Sequence, residues 1–196
     1  MDDLSTSLSQ DSSASLDQRA RILESAISIL AAEGASALTV RNVASGAGCS
    51  TTGVYTYYGG KNGLVDAIFM EGFESFDAAL HNSDHTFTEI GLAYRRWALE
   101  RPTHYQVMFG SAVPEFEPSP EALDRATQSF DGLVLSVINS ATKALTDQEA
   151  RSLAFHIWAT VHGYVMLELL GMFPPSLGTP DELYRCGLAR LVVDLS

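Results

Sequence analysis

Apolar residues recur along this chain with the period of an α-helix. Near the N-terminus, Ile22, Ala26, Ile27 and Leu30 are spaced by one, three and four positions, which places them on one helical face. No stretch alternates apolar and polar residues with the period of two that a half-buried strand shows. The sequence therefore predicts an all-α protein, with longer helices from residue 17 to about 33 and over about 61–80, 86–100, 102–109, 119–145, 147–171 and 180–193.

Two short helices are predicted between residues 39 and 57. Thr39 is a suitable N-cap for the first and Ser50 for the second, because a hydroxyl oxygen can accept a hydrogen bond from the first helical turn. A glycine-containing turn separates the two helices, and Gly59-Gly60 ends the second before Lys61 begins a longer helix. This is the spacing of a helix-turn-helix motif.

Composition divides the chain into three predicted segments. Residues 1–16 contain six Ser, one Thr and three Asp, so they have little to bury and are predicted to form a disordered tail. Asp17 is the predicted N-cap of the first helix. Residues 17–63 then form a head of three helices, and residues 64–196 form a larger helical body.

Charge is distributed unevenly between these segments. The 196 residues carry 12 Lys and Arg against 24 Asp and Glu, a net charge of −12, which by itself argues against a nucleic-acid partner. The segment from 19 to 61, however, holds four bases and two acids. A mildly positive head on a negative body would turn one end of the molecule toward a polyanion.

The sequence contains no complete motif for catalysis, metal binding or membrane insertion. GAGCST at 46–51 lacks the third glycine of a dinucleotide fingerprint, and YTYYGGKN at 55–62 does not fit a P-loop. His81 and His85 have the spacing of a metal pair, but the polar residues between them indicate a helix end. No apolar run approaches the ~18–20 residues of a membrane span, so we expect a cytoplasmic protein. Because the motifs above are incomplete, we also expect no enzyme activity, metal or cofactor.

The second short helix has the features of a DNA recognition helix. Small polar side chains at its N-terminal end, together with free backbone N–H groups, can reach phosphates and base edges in a major groove. Tyrosine hydroxyls further along the helix and Lys61 after it can reach phosphate oxygens. Spacing alone also permits an ordinary helical turn with core tyrosines. The residues concerned are Ser50, Thr51, Thr52, Gly53, Tyr55 and Tyr57.

This segment resembles the DNA-binding domain of the tetracycline-repressor (TetR) family of bacterial transcription regulators. The resemblance covers residues 17 to about 70 and rests on Thr39, the sequence ASGAG at 44–48, Tyr55 and Lys61. It implies that DNA phosphates are contacted by Thr39, Tyr55, Tyr57 and Lys61. It also implies base-edge contacts by Arg41, Thr51, Thr52 and Gly53, with Thr56 in either role.

The body carries a second resemblance. Residues 158–169, WATVHGYVMLEL, are similar to the subgroup of the family named for its Trp, His and Gly. Trp158 and His162 share one helical face with Phe155 and Met166, where they either line a cavity or pack in the core around a hydrogen-bonded His. Side chains from neighbouring helices would complete a pocket for a mainly hydrophobic small molecule, namely Trp97, His104, Tyr105, Met108, Phe109 and Phe116.

These features predict a ligand-responsive transcriptional regulator, expected to be a repressor, that binds a palindromic double-stranded DNA operator and is released by a small effector. One head reads few base pairs, so a homodimer must present two heads about 34–36 Å apart. The resemblance implies that the dimer's four-helix bundle is formed by the last two helices, and Ala150, Ala154 and Gly163 would permit close approach there. The alternative is an all-α small-molecule-binding protein whose head no longer binds DNA.

Overall fold

The computed structural model describes residues 3–81, 86–110 and 112–194, with side chains described from residue 15 to residue 192 of these ranges. The prediction of an all-α protein is confirmed, since the described residues form helices and no strand. No helix in these ranges has both the length and the apolar composition needed to cross a bilayer. The helices are α1 (Asp3–Glu33), α2 (Val40–Gly46), α3 (Thr51–Tyr58), α4 (Lys61–His81), α5 (Phe87–Glu100), α6 (Pro102–Phe109), α7 (Pro120–Ser140), α8 (Asp147–Leu169), a short 3-10 helix (Pro175–Leu177) and α9 (Pro180–Asp194).

The first helix is longer than the sequence predicted. α1 begins at Asp3, so residues 3–16 are helical where we expected a disordered tail, and residues 1 and 2 lie outside the described residues. No glycine or proline occurs between Asp3 and Glu33, so nothing in this stretch interrupts helical hydrogen bonding. Asp17 does not cap the helix. It lies inside α1, where its carboxylate pairs with Arg21 one turn later at 2.5 Å.

The chain divides into two compact units. The first consists of Met1–Glu71 with Thr103–Ser119, and the second of Gly72–Pro102 with Pro120–Ser196. The first unit therefore contains the predicted head and, in addition, the first half of α4, α6 and the loop that follows α6. This partition differs from a boundary between residues 63 and 64, because α6 packs with the head unit although it is distant in sequence.

The first unit holds α2 and α3 against α1 through a small apolar core. Ile22 of α1, Val43 of α2 and Val54 of α3 are completely buried, and burying a side chain of this kind contributes about 1.5–3 kcal/mol each. The hydroxyl of Ser25 in α1 donates a hydrogen bond to the carbonyl of Val43 at 3.1 Å. The helix-turn-helix is therefore held by α1 as well as by its own turn.

In the second unit, α5 packs against α8 and α9, and α8 also packs against α7. Two glycines mark close approaches between these helices. A Cβ added to Gly91 would lie 2.5 Å from Leu188 Cδ1, and one added to Gly187 would lie 2.6 Å from the Tyr164 ring. The buried Tyr184 hydroxyl donates to the Gly91 carbonyl at 2.6 Å. Small residues at these crossings set how closely the helices pack.

α7 is shorter than predicted. It ends at Ser140 rather than near residue 145. Residues 141–146 form the connection to α8. Thr146 ends this connection with an extended backbone of φ −69° and ψ 160°, and it caps α8 through a capping box with Glu149.

The small residues expected at the dimer contact lie elsewhere. Ala150 and Ala154 are completely buried inside the single chain, so this part of the prediction is wrong. They belong to a stripe that continues through Ile157, Val161 and Val165, all of them buried at helical spacing. This is the inner stripe of α8, which faces the rest of the second unit.

The last turns of α4 are attached to α7 by polar contacts. The Asp77 carboxylate forms an ion pair with Arg125 at 2.6 Å and accepts a hydrogen bond from the Ser129 hydroxyl at 2.6 Å. His81 forms a hydrogen bond from its Nδ1 to the Asp77 carbonyl at 2.8 Å, as expected for a residue at a helix end. His85, the other member of the considered metal pair, lies outside the described residues.

Candidate DNA-binding surface and effector site

Side-chain hydroxyls cap both helices of the motif, as predicted. The Thr39 hydroxyl oxygen accepts a hydrogen bond from the Asn42 N–H at 3.1 Å, and the Ser50 hydroxyl oxygen accepts one from the Gly53 N–H at 3.2 Å. Each hydroxyl keeps its own proton for donation to an anion. The N-termini of α2 and α3 therefore combine a hydroxyl donor with backbone N–H groups that have no helical partner.

One face of α3 is open to solvent. Val54 and Tyr58 point the other way and are buried. The ten residues that sequence analysis assigned to DNA contact all lie on accessible surface of the first unit. Two of them, Gly53 and Tyr57, are half-buried at the edge of the face; the exposed ones are Thr39, Arg41, Ser50, Thr51, Thr52, Tyr55, Thr56 and Lys61.

The glycine pair after α3 supports Tyr55. Gly59 ends α3 with φ 68°, and its N–H donates to the Tyr55 carbonyl at 2.9 Å. Gly60 has φ 122°, and a Cβ there would lie 3.3 Å from Tyr55 Cε1. Both conformations are ones that glycine adopts without a steric penalty. The pair therefore ends the helix and leaves room for the Tyr55 ring, which is 58% exposed.

Two cations of the motif differ in their surroundings. Lys61 donates a hydrogen bond from Nζ to the Ala35 carbonyl at 3.1 Å, so its charge is held near the connection between α1 and α2. Arg41 on α2 is exposed, and no described residue forms an ion pair with it. Arg41 is thus the cation of the motif that is freest to reach an external anion.

Sequence reasoning missed Tyr58, which ties α3 to α1. Its buried hydroxyl donates to the Arg19 carbonyl at 2.8 Å, and burial raises the pKa of Tyr58 above its ordinary value, so the hydroxyl stays protonated at neutral pH. A Cβ on Gly63 of α4 would lie 1.8 Å from the Tyr58 carbonyl oxygen. The signal was the helical register, since Tyr58 follows buried Val54 by four positions.

α6 supplies the predicted effector residues of the first unit. His104, Tyr105 and Met108 are buried, and the half-buried Phe109 packs edge-on against Tyr105 at 5.0 Å between ring centroids. His104 Nε2 has no hydrogen-bond partner among the described residues. Glu71 Oε1 lies 3.7 Å away, which is too far for a hydrogen bond. A buried polar atom in this state calls for a partner.

Trp97 of α5 presents a similar case in the second unit. Its side chain is buried, and its Nε1–H has no hydrogen-bond partner in the described part of the chain. The Phe76 ring of α4 contacts both Trp97 and Tyr94 edge-on, with centroids 5.1 and 5.2 Å apart. The result is an aromatic cluster that contains one donor without an acceptor.

On α8 the predicted effector residues are divided between two environments. Trp158, His162 and Met166 are half-buried, with 6.2 Å between the centroids of the Trp158 and His162 rings. Burial lowers the pKa of His162 below its ordinary value, so its imidazole is mainly neutral at neutral pH. Phe155 differs, because 58% of its surface is exposed. Phe155 therefore does not line an enclosed pocket of this chain, contrary to our expectation.

The outer surface of α8 carries an apolar stripe. Its members recur at intervals of three and four, so they share one helical face. The two ends of the stripe are large and exposed, whereas its centre is small. Nothing lies within 4 Å of the position that a Cβ would occupy on Gly163. We call this set the α8 outer stripe: Phe155, Ala159, Gly163, Met166 and Leu170.

The surface pockets of the protein include two that are lined wholly by described residues. One of about 290 Å³ lies in the first unit and is lined by Val65, Val107, Gly110, Val113, Pro114, Glu115 and Phe116. The other, of about 530 Å³, lies in the second unit and is lined by Glu168, Gly171, Phe173, Pro175, Gly178, Thr179, Pro180 and Glu182. Of the residues predicted to meet an effector, Phe116 alone lines either of these two pockets.

Comparison with known proteins matches both parts of the chain to one group of regulators. Residues 22–68 match the family described as "Bacterial regulatory proteins, tetR family". Residues 87–191, more than half of the chain, match the family described as "Tetracyclin repressor-like, C-terminal domain". The HTH-type transcriptional regulator Rv1816 of Mycobacterium tuberculosis (strain ATCC 25618 / H37Rv) is 22% identical, with 89% of this chain and 90% of that protein covered.

Solved structures share the fold. The regulatory protein SCO4313 gives a TM-score of 0.82 at 23% sequence identity, with 92% of this chain and 97% of that chain covered. The multidrug binding protein EbrR, crystallised with imidazole, gives a TM-score of 0.58 at 20% identity, with 89% of this chain and 94% of that chain covered. At these identities the likeness establishes the arrangement of helices.

Proposed function

Because this chain belongs to the TetR family of bacterial transcription regulators, we propose that it is a ligand-responsive repressor that binds a palindromic operator as a homodimer. The observation that carries the proposal is the exposed, hydroxyl-rich face of α3, with Ser50 capping its N-terminus and Tyr55 held on its surface. A helix about 10–12 Å across with small side chains at its leading end fits a major groove about 12 Å wide.

The contacts divide into two kinds on this surface. Phosphate contacts come from the hydroxyls of Thr39, Tyr55 and Tyr57 and from Lys61, and these hold the head in register on the duplex. Base edges are read by Arg41 and by the first turn of α3, at Thr51, Thr52 and Gly53, where short residues let the backbone approach the bases. Ser50 adds a donor at the tip of α3, and Thr56 serves either role.

Replacing Lys61 and Arg41 one at a time separates the two kinds of contact. Lys61→Ala is expected to weaken binding to every duplex alike and to reduce the slope of log K against log salt by about one, because one phosphate contact is lost. Arg41→Ala is expected to weaken binding to the preferred sequence by ~1–3 kcal/mol more than it weakens binding to a scrambled duplex, because a base contact is lost. The measurement is fluorescence anisotropy at several salt concentrations, with a duplex that the wild type selects from a random library and a scrambled duplex.

Arg96→Ala is the matched control, because Arg96 is an exposed arginine of α5 outside the head. It is expected to leave both affinities unchanged. If Arg41→Ala weakens the selected and the scrambled duplex by the same factor, Arg41 does not read bases and that assignment is wrong.

The homodimer is proposed to form through α8 and α9, with the α8 outer stripe of each chain against a second copy. Two observations support this contact. Phe155 and Leu170 are large apolar side chains left exposed by the single chain, and Gly163 between them has open space above it. A small centre flanked by large apolar ends permits two helices to cross closely. A two-fold axis at this crossing would use the same stripe from both chains.

The effector is proposed to be a small, mainly hydrophobic molecule with a hydrogen-bond acceptor, bound beside Trp97. The unpartnered Trp97 Nε1–H would meet the acceptor, and Phe76 and Tyr94 would supply aromatic surface. EbrR, which shares the fold, is described as a multidrug binding protein. Because Phe76 belongs to α4, a ligand that enters this cluster would displace the last turns of α4. The same turns are attached to α7 through the ion pair of Asp77 with Arg125, so the contact between the two helices would change as well. Such a shift would change the distance between the two heads and release the operator.

A matched pair of compounds tests the effector contact. We expect 2-acetylnaphthalene to bind three- to tenfold more tightly than 2-ethylnaphthalene, which has a similar shape without the carbonyl, because an N–H to C=O hydrogen bond contributes about 0.5–1.5 kcal/mol. The ketone should also release the selected duplex. Affinity is measured by the ligand-induced rise in the unfolding midpoint and by titration.

The two tryptophans provide the control for this measurement. Trp97→Phe removes the donor and should abolish the preference for the ketone, while Trp158→Phe should keep it. Equal affinity of the wild type for the two compounds would contradict a hydrogen bond from Trp97.

A further inference from the structure

The recognition helix is short of positive charge. Residues 50–58 contain no Lys or Arg, so α3 itself supplies only neutral donors to a strongly anionic duplex. Phosphate neutralisation governs both the affinity of such a complex and its dependence on salt. Basic and donor groups must therefore come to this surface from other elements of the head.

Gln18 of α1 lies against the N-terminal half of α3. The position of a Cβ on Gly53 would be 3.3 Å from the Gln18 side-chain amide and 3.8 Å from Ser50 Oγ. The amide thus occupies space that the absence of a side chain on Gly53 leaves open, close to the cap of α3. Gln18 is half-buried, and no described side chain forms a hydrogen bond with it.

Arg19 lies next to Gln18 and reaches the other end of α3. Its guanidinium carbon is 5.6 Å from the centroid of the Tyr58 ring, and its carbonyl accepts the Tyr58 hydroxyl. The Arg19 side chain is nevertheless exposed, and no described carboxylate pairs with it. The ring contact restricts the position of the guanidinium, while its N–H donors remain available to solvent.

The side of α3 that faces α1 is an edge of its exposed face. Gly53 and Tyr57 lie one turn apart on this edge and are both half-buried. When a helix fills a groove about 12 Å wide, its tip meets the bases and its edges face the sugar–phosphate walls. Groups carried along this edge by α1 would therefore meet the backbone of one strand.

We propose that Gln18 and Arg19 of α1 form a DNA-backbone contact beside α3, in which the Gln18 amide donates to one phosphate and the Arg19 guanidinium binds another. The inference rests on the proposed binding of DNA by α3 and adds two residues to it. Neither belongs to the helix-turn-helix segment, which begins about twenty positions later in the chain. The two groups differ in charge, and this difference gives each a separate signature in a salt titration.

The experiment compares single variants on the duplex that the wild type selects from a random 30-base-pair library and on a scrambled duplex. Arg19→Ala is expected to lower affinity about tenfold on both duplexes near 0.1 M salt, and to reduce the salt slope by about one. Arg19→Lys, which keeps the charge, should retain the wild-type slope. Gln18→Ala should lower affinity about threefold on both duplexes without changing the slope, because the amide is neutral.

Matched controls are Arg96→Ala and Gln128→Ala, exposed residues of α5 and α7, which should bind as the wild type does. Thermal unfolding of each variant checks the fold. If Arg19→Ala is destabilised, Arg19→Gln, which removes the charge but keeps a long polar side chain, takes its place with the same expected loss of slope. Wild-type affinity of Gln18→Ala, a wild-type slope for Arg19→Ala, or a reduced slope for Arg19→Lys would overturn the inference. If the wild type itself binds no duplex, the proposed function fails instead.

Discussion

Gly63→Ala is expected to disrupt the junction of α3 and α4 and to abolish DNA binding. The added methyl carbon would lie 1.8 Å from the Tyr58 carbonyl oxygen, so the backbone of one helix must move by more than 1 Å. Tyr58 cannot follow freely, because its hydroxyl is bonded to α1. We expect a loss of about 3 kcal/mol in the free energy of unfolding, measured by urea titration with circular dichroism.

A lower free energy of unfolding for Gly63→Ala would be the opposite of the usual effect, because alanine normally stabilises a helix by up to about 1 kcal/mol relative to glycine. Gly132→Ala in α7 is the matched control. A Cβ there would lie 3.6 Å from the His81 ring, an ordinary contact distance, so the variant should be as stable as the wild type or more stable. Should Gly63→Ala be as stable as the wild type and still bind DNA, the packing of α3 against α4 described above is incorrect.

Gly163→Leu is expected to convert a dimer into monomers of 21.1 kDa and to weaken binding to a two-half-site duplex at least a hundredfold. The chain leaves the space above Gly163 open, so the substitution should leave the monomer folded. At a close helix crossing, however, the leucine would separate the two chains. Loss of the second head removes an effective concentration that raises affinity by about 10²–10⁴.

Light scattering after gel filtration measures the mass, and anisotropy measures the affinity. Thr88→Leu places the same side chain on the exposed face of α5 and should remain dimeric with wild-type affinity. A Gly163→Leu protein that keeps the dimer mass and the wild-type affinity would show that the chains meet elsewhere.

Local signals in the sequence were sufficient to predict the motif. Thr39 and Ser50 cap their helices through hydroxyl bonds to residues three positions later, and such contacts are encoded within one turn. Gly59-Gly60 ends α3 for an equally local reason. The exposure of the α3 face followed, because its apolar positions are few and the rest of the helix is polar.

Contacts between distant segments were not predictable in this way. Nothing near Gly53 in the sequence indicates that Gln18, 35 positions earlier in the chain, lies beside it. α8 is apolar on two faces, so periodicity groups its residues into stripes but does not say which stripe packs inside the chain. The assignment of Ala150 and Ala154 to an outer contact failed for this reason.

The same limit applies to the effector residues. Aromatic and sulfur-containing side chains at helical spacing fit a core and a pocket equally well. In the structure, Tyr105 is completely buried and therefore belongs to the core. What distinguishes Trp97 and His104 is a buried polar atom that forms no hydrogen bond with any described residue. Hydrogen-bond satisfaction depends on the three-dimensional surroundings of the atom, so no sequence pattern reports it.

In the proposed complex, two α3 helices from one dimer enter successive major grooves on the same side of a duplex. The most direct measurement is the affinity of the wild-type protein for its selected inverted repeat before and after insertion of five base pairs between the half-sites. Five base pairs turn one half-site by about half a helical turn. We expect the affinity to fall at least a hundredfold, to the level of a single half-site. An unchanged affinity would contradict this arrangement.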